Sequence, residues 1–233
     1  MTLYPMLRGA LGMLPEPLRW RTRNAIALGR WLADRAGGHR AGAYEESFWD
    51  LHRGGDWAAL AEVILRFCSP TSIVDVGCGD GKLLAAIRVR SPALPLLGID
   101  SASVALARAA ATGVPVEAHD LASRRIRAVK PLRARIAAFD LAVSLETAEH
   151  LPPWTGAAFV ETLTHARRIV FSAAQPGQGG TLHMNERPTA YWRARFEERG
   201  YRLADFDLAM RDAIAALDLP WWYAANIHVF EGA

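Results

Sequence analysis

The β-branched run at residues 72–76, Ser-Ile-Val-Asp-Val, passes at once into Gly77-Cys78-Gly79-Asp80-Gly81, and this junction limits the possible folds most. A short apolar run bounded by glycines suits a parallel strand buried on both faces. Glycines at alternate positions remove Cβ atoms where the chain must turn sharply and approach a ligand, and residues 82–88 then read as a helix. Strand, tight turn and helix in this order place the helix amino end at the carboxyl edge of a sheet, where ligands collect in open α/β folds.

The same alternation continues. Residues 96–99 read as a strand ending at Asp100, residues 104–111 as a helix, and residues 114–118 as a strand leading to Asp120. A basic stretch over 124–135 follows, without an assigned element. Strands at 141–145 and 168–172 flank a helix around 157–165. The chain closes with a helix at 189–199, a strand at 201–204, a helix at 207–217 and a strand at 225–230. Strands separated by helices of this length imply right-handed crossovers and a mostly parallel sheet covered on both faces. Upstream, Pro15 and Pro17 introduce an amphipathic helix that stops at Gly37-Gly38, and Asp56 is placed to cap a second helix over 57–67. The expected division is an N-terminal helical lid or appendage over 1–55 and an α/β domain over 56–233.

The glycine segment fits neither common phosphate cradle. A GxGxxG fingerprint needs glycine where Lys82 stands, and a P-loop needs a hydroxyl residue where Leu83 stands. An acidic residue followed by GxGxG instead resembles the first motif of the class I S-adenosylmethionine-dependent methyltransferases, small-molecule members included. That resemblance runs from residue 72 to residue 230. It implies a Rossmann-like seven-stranded open sheet in the order 3-2-1-4-5-7-6, with the last strand antiparallel and helices on both faces. It also implies S-adenosylmethionine as cofactor, held by Asp75, Gly77, Cys78, Gly79 and Gly81 around its methionine part. Asp100 would take the ribose hydroxyls and Asp120 the adenine amino group, with Ser101, Leu121 and Leu145 beside them. A cationic sulfonium and ammonium favour a carboxylate such as Asp75, which a phosphate ligand would not.

Acceptor chemistry belongs beyond the fourth and fifth strands. Glu146 opens a segment that continues through Glu149-His150, and residues 172–187 form a glycine-bearing loop with Gln175, His183 and Asn185. Methyl transfer requires alignment and exclusion of water, and a hydroxyl acceptor also requires a base, for which histidine is suited. His183 is the first candidate base and His150 the second. Glu146, Gln175, Asn185 and Trp222 are candidate acceptor contacts, with Trp222 in a loop before the last strand. Trp20, Trp31 and Tyr44 are placed to form a lid. No clear metal-ligand spacing stands out, so no metal site is assigned, while a divalent ion bound by the acids and histidines, as in some members of the family, stays open.

Composition narrows the function class. Cys68 and Cys78 form neither a disulfide framework nor a zinc pattern. No apolar stretch approaches a membrane span, nor does the start read as a secretory signal, so a cytoplasmic address is expected. Residues 1–42 hold seven arginines against Glu16 and Asp34, whereas the whole chain is only +3. The leading expectation is O-methylation of a hydroxyl on a small polar metabolite, in a natural-product or sugar-containing intermediate. The alternatives are an RNA or protein methyltransferase using the basic N-terminus, or a non-catalytic adenosylmethionine-binding partner protein. Nucleic acid is the less favoured partner, and the oligomeric state stays open, a homodimer included.

Overall fold

The computed structural model describes residues 14–37, 44, 48–49, 54–123 and 125–232. Its elements are α1 (Glu16–Ala36), α2 (Trp57–Cys68), β1 (Ile73–Val76), α3 (Lys82–Arg90), β2 (Leu96–Asp100), α4 (Ser103–Ala111) and β3 (Val116–Ala118). They continue with α5 (Ile126–Ile136), β4 (Leu141–Ser144), α6 (Gly156–Leu163), β5 (Arg168–Phe171), α7 (Thr189–Glu197), β6 (Tyr201–Leu203), α8 (Asp207–Ala215), α9 (Trp221–Asn226) and β7 (His228–Gly232). Short 3₁₀ turns at Ala148–His150 and Pro153–Thr155 join β4 to α6.

The seven strands form one sheet in the order β3-β2-β1-β4-β5-β7-β6, as the family resemblance implies. β1 to β5 are parallel to their neighbours, while β7 runs antiparallel to both β5 and β6. Alternate residues of each central strand point to opposite faces. Val74, Val76, Ala142, Ile169 and Phe171 join one apolar cluster with Phe159, Trp192 and Phe196. Ile73, Leu141, Val143 and Val170 join the other, against Leu60, Ile64, Leu84, Ile87 and Met210. Burial on both faces is why the strands read as continuous apolar runs; each fully buried aliphatic side chain contributes roughly 1.5–3 kcal/mol.

Local signals operate as expected at several ends. Asp56 Oδ1 accepts from the Ala59 N–H at 2.8 Å and so caps α2. α1 begins just after Pro15 and its last cap is Gly37. Two helices depart from the sequence reading. The basic stretch is α5, whose Val129, Leu132 and Ile136 are buried on one stripe. Pro131 interrupts its pattern, but it lies on the exposed face, where the missing N–H costs least. Trp221-Trp222-Tyr223 begin α9 instead of a loop, because Pro220 turns the chain directly into it. Among the described residues no helix is long and apolar enough to cross a membrane.

Candidate active site

Parallel strands that share one sheet end their carboxyl tips on one edge, and there the protein holds a cavity of about 780 Å³. Asp75, Gly77, Cys78, Gly79, Asp100, Ser101, Asp120 and Leu121 line its β1–β2–β3 side. Leu145, Glu146, Glu149, His150, His183 and Trp222 line its β4–β5 side.

On the first side the loop is held by backbone. The N–H groups of Gly77 and Cys78 both donate to the Ile99 carbonyl at the end of β2, at 2.7 and 3.0 Å. Gly77 has φ +87°, and a Cβ there would lie 2.2 Å from Thr147 Oγ1. A Cβ on Gly79, φ +54°, would meet the Trp49 ring at 2.8 Å. Gly81 serves packing instead: a Cβ there would press on Ala109 of α4 at 2.7 Å, and the residue is outside the cavity lining. The sequence reading put Gly81 around the cofactor; tertiary contact places it at a helix crossing.

Asp100 is the organiser of this half. Its Oδ2 accepts from the Gly79 N–H at 3.0 Å, and its Oδ1 from the N–H groups of Ser101 and Ala102 at 2.6 and 2.9 Å. Burial raises its pKa, and these three N–H groups oppose the rise. Asp75 is buried, and burial together with the Asp100 charge pushes it up to about 8. A ligand cation beside it relieves that cost, so glycine cradle and paired carboxylates fit the methionine and ribose parts of S-adenosylmethionine. The half-buried Cys78 thiol, which lines the cavity, is also pushed up by burial, then by Asp75 and Asp100, and so stays a neutral thiol. Asp120 has a further partner: Arg35 of α1 ion-pairs with its Oδ2 and sits 5.0 Å from the Trp31 ring.

The second half depends on the long β5–α7 loop. Met184 and Asn185 N–H groups donate to the Glu149 carbonyl at 2.9 and 3.0 Å, which pins this loop to the 3₁₀ turn after β4. The pinning brings the His150 and His183 rings to 4.8 Å, edge to face. His183 Nδ1 lies 3.2 Å from Glu186 Oε1, and Glu186 also accepts from the Gly177 and Gly179 N–H groups at 3.0 and 2.8 Å. Burial raises Glu186, but the bonds from His183, Gly177 and Gly179 hold it below the usual carboxylate range. His150 Nδ1 is 2.9 Å from the Tyr44 hydroxyl.

Two expected acceptor contacts lie elsewhere. Gln175 Nε2 donates to Asn226 Oδ1 at 3.0 Å, and Asn185 Nδ2 donates to the Ala148 carbonyl at 3.3 Å. Neither lines the cavity, because each is engaged in holding its loop. Glu146 does line it, at φ +49°, with Oε2 accepting from Gln178 at 2.8 Å and Oε1 from Asn226 at 3.1 Å. Its pKa is raised by burial against those bonds. Of the aromatic lid residues, Trp31 and Tyr44 line the cavity and Trp20 does not.

The sequence reading did not single out Glu149, although it stands in the Glu149-His150 doublet. Glu149 is 0% exposed, and neither carboxylate oxygen has a hydrogen-bond partner. Burial, then the Glu146 charge, raises its pKa well above the ordinary value. Glu149, His150 and His183 each offer a donor atom, all within 4.8 Å of one another. The sequence assigns no metal site because no ligand spacing stands out along the chain, and these donors meet only through the fold.

A glycine cradle at the β1 tip, acids at the β2 and β3 tips and a 3-2-1-4-5-7-6 sheet define a Rossmann-like methyltransferase. The chain belongs to the family described as "Methyltransferase domain", which matches residues 49–228, and it is a methyltransferase dependent on S-adenosylmethionine. No curated protein matches it. Its fold is similar to the sugar N-methyltransferase KedS8 from Streptoalloteichus sp., at 17% identity and TM-score 0.56, covering 81% of this chain and 92% of that one. DesVI of Streptomyces venezuelae is similar at 15% identity and TM-score 0.54, covering 80% and 96%. The methyltransferase domain of bacterial CtHen1-C is similar at 18% identity and TM-score 0.53, covering 76% and 98%.

Proposed function

We propose that the protein transfers the methyl group of S-adenosylmethionine to a hydroxyl of a small polar acceptor. The observation that carries this reading is the group of buried Glu149 and His183 with half-buried His150, in the wall of the same cavity as Asp75 and Asp100. In the transfer the acceptor oxygen bonds to the methyl carbon as the C–S bond breaks. The electron pair of that bond stays on the neutral thioether, and the hydroxyl proton leaves. The Glu149, His150 and His183 group removes or acidifies that proton, while the chain aligns the two substrates and excludes water.

We read α1 as part of the lid or appendage expected over residues 1–55, of which residues 14–37, 44, 48–49 and 54–55 are described. Its Arg35 reaches Asp120, its Arg23 donates to the Gly177 carbonyl at 3.2 Å, and Trp31 meets Trp154 at 6.3 Å. These contacts engage arginines that an RNA-binding surface would leave for phosphates, which favours the small acceptor over a polyanion. A cavity of about 780 Å³ also lies in the usual range of small-molecule sites, roughly 300–1,000 Å³.

The test is incubation with methyl-labelled cofactor and a metabolite extract. Label is expected in low-molecular-weight material as an ether. Label appearing only in RNA or protein overturns the acceptor assignment, and cofactor binding without any labelled product points to a non-catalytic partner protein.

A further inference from the structure

We infer that Glu149, His150 and His183 form a binding site for one divalent transition-metal ion, which nothing in the sequence spacing indicates. Three observations meet here. The donor atoms of the three side chains lie within 4.8 Å of one another. Ligands about 2.1 Å from a shared ion stand at most about 4.2 Å apart, so small side-chain rotations close the set. The Glu149 carboxylate is fully buried with both oxygens unpartnered, in a wall of the cavity. A buried, unpaired carboxylate is a costly feature, and a cation coordinated by it removes the cost.

The third observation is the support behind His183. Its Nδ1 faces Glu186 Oε1 at 3.2 Å, and Glu186 is itself fixed by the Gly177 and Gly179 N–H groups. A metal-binding histidine commonly has such a carboxylate behind its other nitrogen, which sets the tautomer and the ring plane. Gly180 completes the fit, because a Cβ there would stand 2.2 Å from His183 Nε2. Absence of that atom leaves room for the ring edge opposite Glu186.

The donor set names the ion class. Two imidazoles and one carboxylate suit zinc, manganese, iron or cobalt better than magnesium or calcium, which favour all-oxygen cages. Three protein ligands leave coordination positions for an acceptor oxygen. A hydroxyl bound to such an ion loses its proton more readily, so the histidines serve as ligands and not as free bases. That catalytic role rests on the proposed hydroxyl transfer, whereas the affinity for metal does not.

The experiment is calorimetric titration of chelator-treated full-length protein with Mn²⁺, Co²⁺ and Zn²⁺ separately, with the visible absorption of bound Co²⁺ followed in parallel. One equivalent is expected to bind. Glu149→Gln and His183→Ala each weaken affinity by about 100-fold, and Glu186→Gln by about 10–100-fold, the range for loss of an outer partner. His165→Ala, an exposed histidine away from the cavity, leaves affinity unchanged. S-adenosylmethionine binding and circular dichroism, measured on every variant, separate loss of the metal site from loss of the fold or of the cofactor site. Absence of stoichiometric binding to the wild-type chain overturns the inference, as does binding that Glu149→Gln and His183→Ala leave intact.

Discussion

The two ends of the cavity solve opposite problems with the same kind of group. At the β1–β2–β3 end, Asp100 is surrounded by N–H donors from Gly79, Ser101 and Ala102, all close to a strand tip. At the β4–β5 end, Glu149 is more deeply buried and neither oxygen makes a hydrogen bond, although the N–H groups of Glu149 and Ala174 partly oppose the rise in its pKa. The first carboxylate is finished by the chain's own backbone. The second is left incomplete, which is where an acceptor, a proton or a cation has an energetic reason to go.

The sharpest way to break this contrast is to damage each end separately. His183→Ala is expected to lower turnover by about 10²–10⁴-fold while leaving cofactor affinity within about threefold, by single-turnover kinetics and calorimetry. Equal losses in both quantities would merge the two ends into one structural unit. Gly77→Ala does the reverse. It adds a methyl 2.2 Å from Thr147 Oγ1 at a φ of +87°, so cofactor affinity falls by about 100-fold or the fold is lost, as circular dichroism distinguishes.

Asp75 sharpens the comparison through pH. Its pKa of about 8 in the free protein lies above that of an unfolded Asp, so the native state holds the proton more tightly. This group's contribution to stability is therefore present at low pH and is lost as pH rises from about 4 towards 8. Binding of the cationic cofactor favours the carboxylate, so affinity rises with pH, by at most about tenfold per unit, and levels off above about 8. Asp75→Asn is expected to flatten that slope, with proton release on binding read by calorimetry in two buffers. The smallest effect belongs to Arg35→Ala. Its half-exposed ion pair with Asp120 is worth only about 0.2–1 kcal/mol, and its removal frees Asp120. Cofactor affinity is expected to rise by about two- to fivefold, measured in the same titration.

The cofactor end was the more legible in sequence for a physical reason. Asp75, Gly77, Gly79 and Asp100 stand at or near the ends of neighbouring strands and line the cavity, so their meeting there follows from local pattern and short spacing. Gly81, expected around the cofactor, lies outside the cavity lining, because helix packing against Ala109 asks for the same missing Cβ as a ligand does. At the acceptor end His150, His183, Glu146 and Trp222 were found as polar or aromatic residues near the right tips, and they line the cavity. Gln175 and Asn185 looked equivalent to them in sequence. Their amides instead close the loop through Asn226 and Ala148, a difference that hydrogen-bond partners alone reveal. The α5 and α9 helices were obscured by a proline on an exposed face and by an aromatic run too short to show a period.

The strands, the glycine turn and the acids at the strand ends were legible in local sequence, since each depends on neighbours a few residues away, while the strand order and the methyltransferase class came through the resemblance of that turn to a known first motif. The meeting of Glu149 and His150 with His183, and the reach of Arg35 to Asp120, came only from the tertiary structure. Those contacts join segments more than thirty residues apart, and their distances depend on how the loops pack, a quantity that residue order does not encode locally.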